Sequence, residues 1–141
     1  MTYINNNDYL CSMKQAIFTL LLAAVALTAC HRQTFEEQVV EDINHFNQKE
    51  SPKRMDMFTT LDSMSYDPAL QLISYYYTVE GEADCDILSA ESIESVLLEN
   101  LRSSIPLKAY KEHGMRFHYV YLSRLTGKPR VECTFTPEDY Q

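Results

Sequence analysis

The chain has 141 residues, with 12 basic against 20 acidic side chains and a formal charge of −8. That balance makes nucleic acid a poor partner, because phosphate binding depends on Lys and Arg neutralising the backbone. The length suits one compact core and leaves too little chain for two ordinary domains.

Met1 to Ser12 (MTYINNNDYLCS) is polar and Asn-rich. It matches no part of a targeting signal, so residues 1–12 are expected to lie upstream of the true start or to belong to the leader. Met13-Lys14-Gln15 makes a normal start, and an apolar run extends from Ala16 to Ala29, interrupted only by Thr19 and Thr28. At about fourteen residues it falls short of the roughly 20 that a helix needs to cross a bilayer. One positive charge ahead of the run and small residues at its end are the grammar of a secretory leader over residues 13–29.

The end of that run, Leu27-Thr28-Ala29-Cys30, resembles the lipobox of bacterial lipoproteins. The resemblance implies cleavage between Ala29 and Cys30, diacylglycerol on the Cys30 thiol and acylation of the new amino terminus, so that residues 30–141 form the mature domain, held to the membrane by lipid. One acyl chain binds marginally, whereas two or three make a stable anchor. His31 comes after Cys30 where enteric-type sorting would place Asp for inner-membrane retention, which points to the outer membrane.

Within the mature part, Phe35, Val39, Ile43 and Phe46 recur at helical spacing with Glu36, Glu37, Glu41 and Asp42 between them, which predicts an amphipathic helix ending before Pro52. Thr59 to Tyr66 and Leu70 to Glu80 read as strands joined at Asp67-Pro68-Ala69, a hairpin. A second helix is expected from Ser89 to about Ser104. After it, Met115 to Arg124 and Arg130 to Thr136 form another hairpin around Thr126-Gly127-Lys128-Pro129. The fold class expected is α+β, two layers, a four-stranded antiparallel sheet with two helices in the order αββαββ; a cystatin-like sheet around one long helix is the alternative. Tyr119-Val120-Tyr121, Gly127-Lys128 and Thr136 to Tyr140 also resemble the closing segments of small uncharacterised envelope lipoproteins, a likeness that implies no activity.

Four cysteines are present. With Cys11 upstream and Cys30 committed to lipid, Cys85 and Cys133 remain as a candidate disulfide in a compartment that permits one. Such a bridge would close a loop of nearly fifty residues and add about 4 kcal/mol on chain-entropy grounds.

No G-x-S-x-G, S-x-x-K or C-x-x-C motif occurs, and His31, His45, His113 and His118 are not spaced as metal ligands. Neither catalytic residues, nor a metal, nor a cofactor is therefore expected. Acids at 80, 82, 84 and 91 mimic part of an EF-hand loop, but Cys85 stands where its sharp turn needs Gly. Glu80, Glu82, Asp84, Asp86, Glu91 and Glu94 form an acidic stretch, and the basic residues Arg102, Lys108, Lys111, Arg116, Arg124, Lys128 and Arg130 dominate the chain beyond it. Two solvated faces of opposite sign would suffice to explain this; a dipolar surface that steers a charged partner is the functional reading.

The strands carry the sharper functional signal. Phe117, Tyr119 and Tyr121 alternate with His118, Val120 and Leu122, while Ile73, Tyr75, Tyr77 and Val79 fall on one side of their strand and Leu70, Leu72 and Tyr76 on the other, so both sheet faces hold apolar residues. Two helices cover one face only. Unless a connector or Thr136 to Tyr140 folds over the other, it leaves a protein-contact surface including Tyr76, Val120 and Leu122, for a homodimer or an envelope partner. The sequence thus points to a lipid-anchored cell-envelope protein acting as a binding or interaction module. An envelope enzyme with a site built from dispersed residues and a structural subunit of an envelope complex are the alternatives.

Overall fold

The computed structural model describes residues 33–84 and 90–141. Helix α1 (Phe35–His45) begins at a reciprocal cap. Glu37 N–H donates to Thr34 Oγ1 at 3.2 Å, and Thr34 N–H donates to Glu37 Oε2 at 2.8 Å. Two of the orphan donors of the first turn are thereby satisfied. Val39, Ile43 and Phe46 are buried, as their spacing predicts, and the helix runs on through a π turn, Phe46–Glu50. It stops at Ser51, ahead of Pro52.

Strands β1 (Lys53–Arg54), β2 (Thr59–Asp67) and β3 (Leu72–Val79) come next, then a single 3-10 turn (Gly81–Ala83), α2 (Ala90–Ser103), α3 (Lys108–Glu112), β4 (Arg116–Ser123), β5 (Pro129–Phe135) and α4 (Pro137–Tyr140). The predicted hairpins are both present. At the first, Asp67 Oδ1 accepts from Ala69 N–H and Leu70 N–H, which closes the turn. In the second, Gly127 adopts φ +67°, which only Gly takes without strain.

The sheet runs β1-β2-β3-β4-β5, and the α+β class holds. Three expectations are corrected: there are five strands instead of four, four helices instead of two among the described residues, and the central pair β3–β4 is parallel, so the sheet is mixed and not antiparallel. The order αββαββ accordingly becomes αβββααββα. The reason is α2. Its 14 residues, about 21 Å of helix, return the chain along the sheet, so β4 starts level with β3 and runs the same way. The cystatin-like alternative fails as well, since two separate helices, α1 and α2, supply the layer.

The core lies between that layer and one face of the sheet. Val39, Ile43, Phe46 and Leu101 from the helices meet Leu61, Ile73, Tyr75, Phe117, Tyr119, Val131, Cys133 and Phe135. Every strand residue in this cluster points to the same side. Tyr140 of α4 joins it, its ring 5.6 Å edge-on to Phe117 and its hydroxyl donating to Met115 C=O at 2.6 Å. The C-terminal segment therefore packs on the helix-covered face, and among the described residues no helix lies on the other.

Candidate functional site

On the second face, β3 and β4 run in register with Ser74 beside His118, Tyr76 beside Val120 and Thr78 beside Leu122. The three residues expected at a contact surface are brought together as direct and diagonal cross-strand neighbours. Val120 is only 7% exposed and Ser74 6%, while Tyr76, Leu72 and Leu122 are half-buried. Val120 belongs to no part of the main core cluster. With its cross-strand neighbour Tyr76 and its same-strand neighbour Leu122 half-buried, it forms the apolar floor of the second face.

A polar rim surrounds this floor. From β5, Glu132 pairs with Val120 and Thr134 with His118; His118 Nδ1 lies 2.8 Å from Thr134 Oγ1 and Nε2 lies 3.5 Å from Glu132 Oε1. From β2 come Ser63 and Ser65, opposite Tyr76 and Ser74. Between Leu61 and Ser63 the register shifts, making Asp62 a bulge whose carboxylate accepts from the Thr78 hydroxyl at 2.6 Å. An apolar centre within a hydrogen-bonding rim is the anatomy of a protein–protein contact.

The remaining candidate positions are more dispersed. Cys30 and Cys85 lie outside the described residues, so the lipidation site and the Cys85–Cys133 bridge remain expectations of the sequence alone. Cys133 is buried on the helix-covered face of β5, where burial pushes its thiol up to about 11. His113 stacks on Phe35 with centroids 3.6 Å apart and holds Ala109 C=O at 2.8 Å, which makes it a packing residue. His45 is exposed beside Glu50, and His31 lies outside the described residues. Among the described residues no cluster of three or more His, Cys, Asp or Glu could hold a metal, and no helix is long and apolar enough to span a membrane.

Two features escaped sequence reasoning. Tyr75 stacks on Tyr119 and Tyr77 on Tyr121, with centroids 5.2 and 4.6 Å apart. Burial raises all four phenols, Tyr77 to about 12. The ladder is a wall of the core. Asp84, read as one acid in a charged run, is fully buried and accepts from Arg130 Nε at 2.9 Å, the Ser123 hydroxyl at 2.9 Å and Leu125 N–H at 3.1 Å. Together with the Arg54–Glu80 pair, it joins acids of the acidic stretch to cations elsewhere, which weakens the dipolar-surface reading. The clefts do not suggest chemistry either. One of about 400 Å³ is lined by Thr34, Glu36, Glu37, Val40, Tyr66 and Pro68, and another of about 230 Å³ by Lys108, Lys111, Glu112, Tyr140 and Gln141; neither holds a histidine or a cysteine.

The family model described as a domain of unknown function, DUF8479, matches residues 34–131. No curated protein matches the sequence significantly. Among solved structures, a candidate secreted protein from Pseudomonas aeruginosa superposes with a TM-score of 0.62 at 13% identity, covering 80% of this chain and 100% of that one. The pilotin EpsS of the Vibrio vulnificus type 2 secretion system superposes with a TM-score of 0.59 at 8% identity, over 74% of this chain and 89% of that one. At these identities the likeness is one of fold.

Proposed function

We propose that this chain, which belongs to the DUF8479 family of unknown function, is a lipid-anchored protein of the cell envelope that works as an interaction module. Its contact surface is the open sheet face centred on Tyr76, Val120 and Leu122. One observation carries the reading: a parallel central pair is apolar on both faces, and the described helices pack on one. Sheets of parallel strands have both faces covered, and among the described residues no helix covers the second face of this parallel pair, which suits it to a partner. The lipobox ending at Cys30 supports attachment to the envelope, with His31 favouring the outer membrane, and the fold neighbours, a candidate secreted protein and a secretion-system pilotin, agree with an envelope or secretion-related setting. The partner is an envelope protein, with a second copy of the chain as the homodimeric form of the same contact. An enzymatic role has less support, because the His118–Glu132 pair lies on an open sheet face.

Two experiments test this. Metabolic labelling with palmitate marks the wild type and fails on Cys30→Ser, which accumulates as uncleaved precursor; equal labelling of both overturns the anchor. For the surface, the lipidated protein is extracted from membranes in mild detergent after cross-linking. Tyr76→Lys and Leu122→Lys are expected to keep the wild-type melting temperature and lose the cross-linked partner or dimer. A wild type with neither, together with variants that melt as core mutants do, overturns the contact surface.

A further inference from the structure

A lipid on Cys30 would limit, through chain length alone, how far the start of α1 can lie from the membrane. Thr34, the N-cap of α1, lies four residues after Cys30, so a fully extended link keeps it within about 14 Å of the acylated residue. Thr34 stands at one end of the sheet. It lines a cleft with Tyr66 and Pro68, at the finish of β2, and its neighbour Phe35 stacks on His113 at the close of α3. The α2–α3 connector belongs to the same end. Lys111 Nζ donates to the Leu101 and Arg102 carbonyls at 2.8 Å, and Arg102 donates to Asp139 C=O of α4, just beyond the last residue of β5.

Large apolar side chains are exposed on both connectors at this end. Ile105, in the α2–α3 connector, is 83% exposed, and Leu70, in the β2–β3 turn, is 49% exposed; Lys108 lies three residues after Ile105. The opposite end, roughly 26 Å away along β2, carries Met57 and Leu125, 74% and 80% exposed. Resting on the reading that Cys30 is acylated, we propose that the tethered end sits on the lipid surface. Ile105 and Leu70 dip into the headgroup–acyl boundary and Lys108 extends to headgroup level, the arrangement that favours apolar bodies with charged tips at an interface. Glu36, Glu37 and Glu112 border the same end, so the contact relies on the short tether and apolar insertion, not on anionic lipid. Seated this way, the strands stand upright on the bilayer and the second sheet face looks sideways, clear of the lipid towards Thr78 and Leu122.

The absence of Trp from the sequence makes the test direct. Full-length lipidated protein carrying Ile105→Trp, Leu70→Trp or Leu125→Trp is reconstituted into phosphatidylcholine vesicles with or without brominated acyl chains. Ile105→Trp and Leu70→Trp are expected to lose fluorescence in brominated vesicles, and Leu125→Trp to keep it. Unquenched Ile105→Trp and Leu70→Trp in protein that floats with the vesicles overturns the orientation, as does equal quenching of Leu125→Trp, which would mean a domain lying on its side. Palmitate incorporation into the same preparations separates the two readings. Labelled, floating, unquenched protein sinks the orientation alone, whereas unlabelled protein that does not float sinks the anchor.

Discussion

Asp84 is visible in the sequence as one more charge in an acidic run, and the structure makes it the pin of the β4–β5 turn. Its three donors, Ser123, Leu125 and Arg130, come 39, 41 and 46 residues later, a separation that no local pattern encodes. Burial alone would raise its carboxyl. The Leu125 N–H, the Ser123 hydroxyl and the Arg130 guanidinium outweigh that and hold it below the usual carboxylate range. A carboxyl depressed in the folded state contributes stability that is present above its unfolded value near pH 4 and lost as pH falls through the folded value. The expected outcome is therefore that the gap in melting temperature between wild type and Asp84→Asn is widest at neutral pH and narrows below about pH 4. Glu80→Ala, which removes the partner of Arg54 at the surface, should cost no more than about 1 kcal/mol at any pH. Thermal scans of the three proteins from pH 7 to pH 3 check both statements, and a gap that widens on acidification would contradict the assignment.

At the scale of elements, local grammar carried far. Both hairpins, α1 and α2 emerge from spacing, turn residues and capping, and the structure moves their ends by one or two residues. The direction of β4 relative to β3 did not, because pairing across a crossover is set by where a helix lays the chain down, and α2 reads the same whichever way it returns. The π turn at the end of α1 was equally hidden, and it has a clear task. It presents Asn47 to the outer edge of β2, where Nδ2 donates to Met64 C=O at 2.7 Å and Oδ1 accepts from Met64 N–H at 2.9 Å. A side-chain amide thus takes the place of a neighbouring strand along an edge that the two-residue β1 covers only near Thr60 and Leu61. Asn47→Ala should destabilise the domain by about 1–3 kcal/mol and give concentration-dependent association, since the freed edge can pair with another copy. Denaturant unfolding combined with light scattering reads both effects; a neutral, monomeric Asn47→Ala would show that the edge needs no latch.

For the molecule as a whole, the described helices cover one of two apolar sheet faces, and Tyr76, Val120 and Leu122 could be assigned to the other in advance because alternation along a strand assigns residues to faces before any fold is known. The sequence left open whether Thr136 to Tyr140 closes the second face, and α4 packs on Phe117 of the first face instead. The asymmetry has an energetic signature. Phe117 is fully buried between sheet and helices, and Phe117→Ala should cost about 3–5 kcal/mol, enough to threaten a fold whose whole stability is of order 5–15 kcal/mol. Leu122, on the other side of the same strand, loses only part of its exposure in the monomer, so Leu122→Ser should cost no more than about 1 kcal/mol. The denaturant slope should stay unchanged in Leu122→Ser, because the area exposed on unfolding is nearly the same. If Leu122→Ser instead cost as much as Phe117→Ala in isolated monomer, the second face would be packed core with no room for a partner. A small cost in the monomer that grows when the protein is measured with its membrane-derived partner is the result a docking face requires, because only then does Leu122 become fully buried.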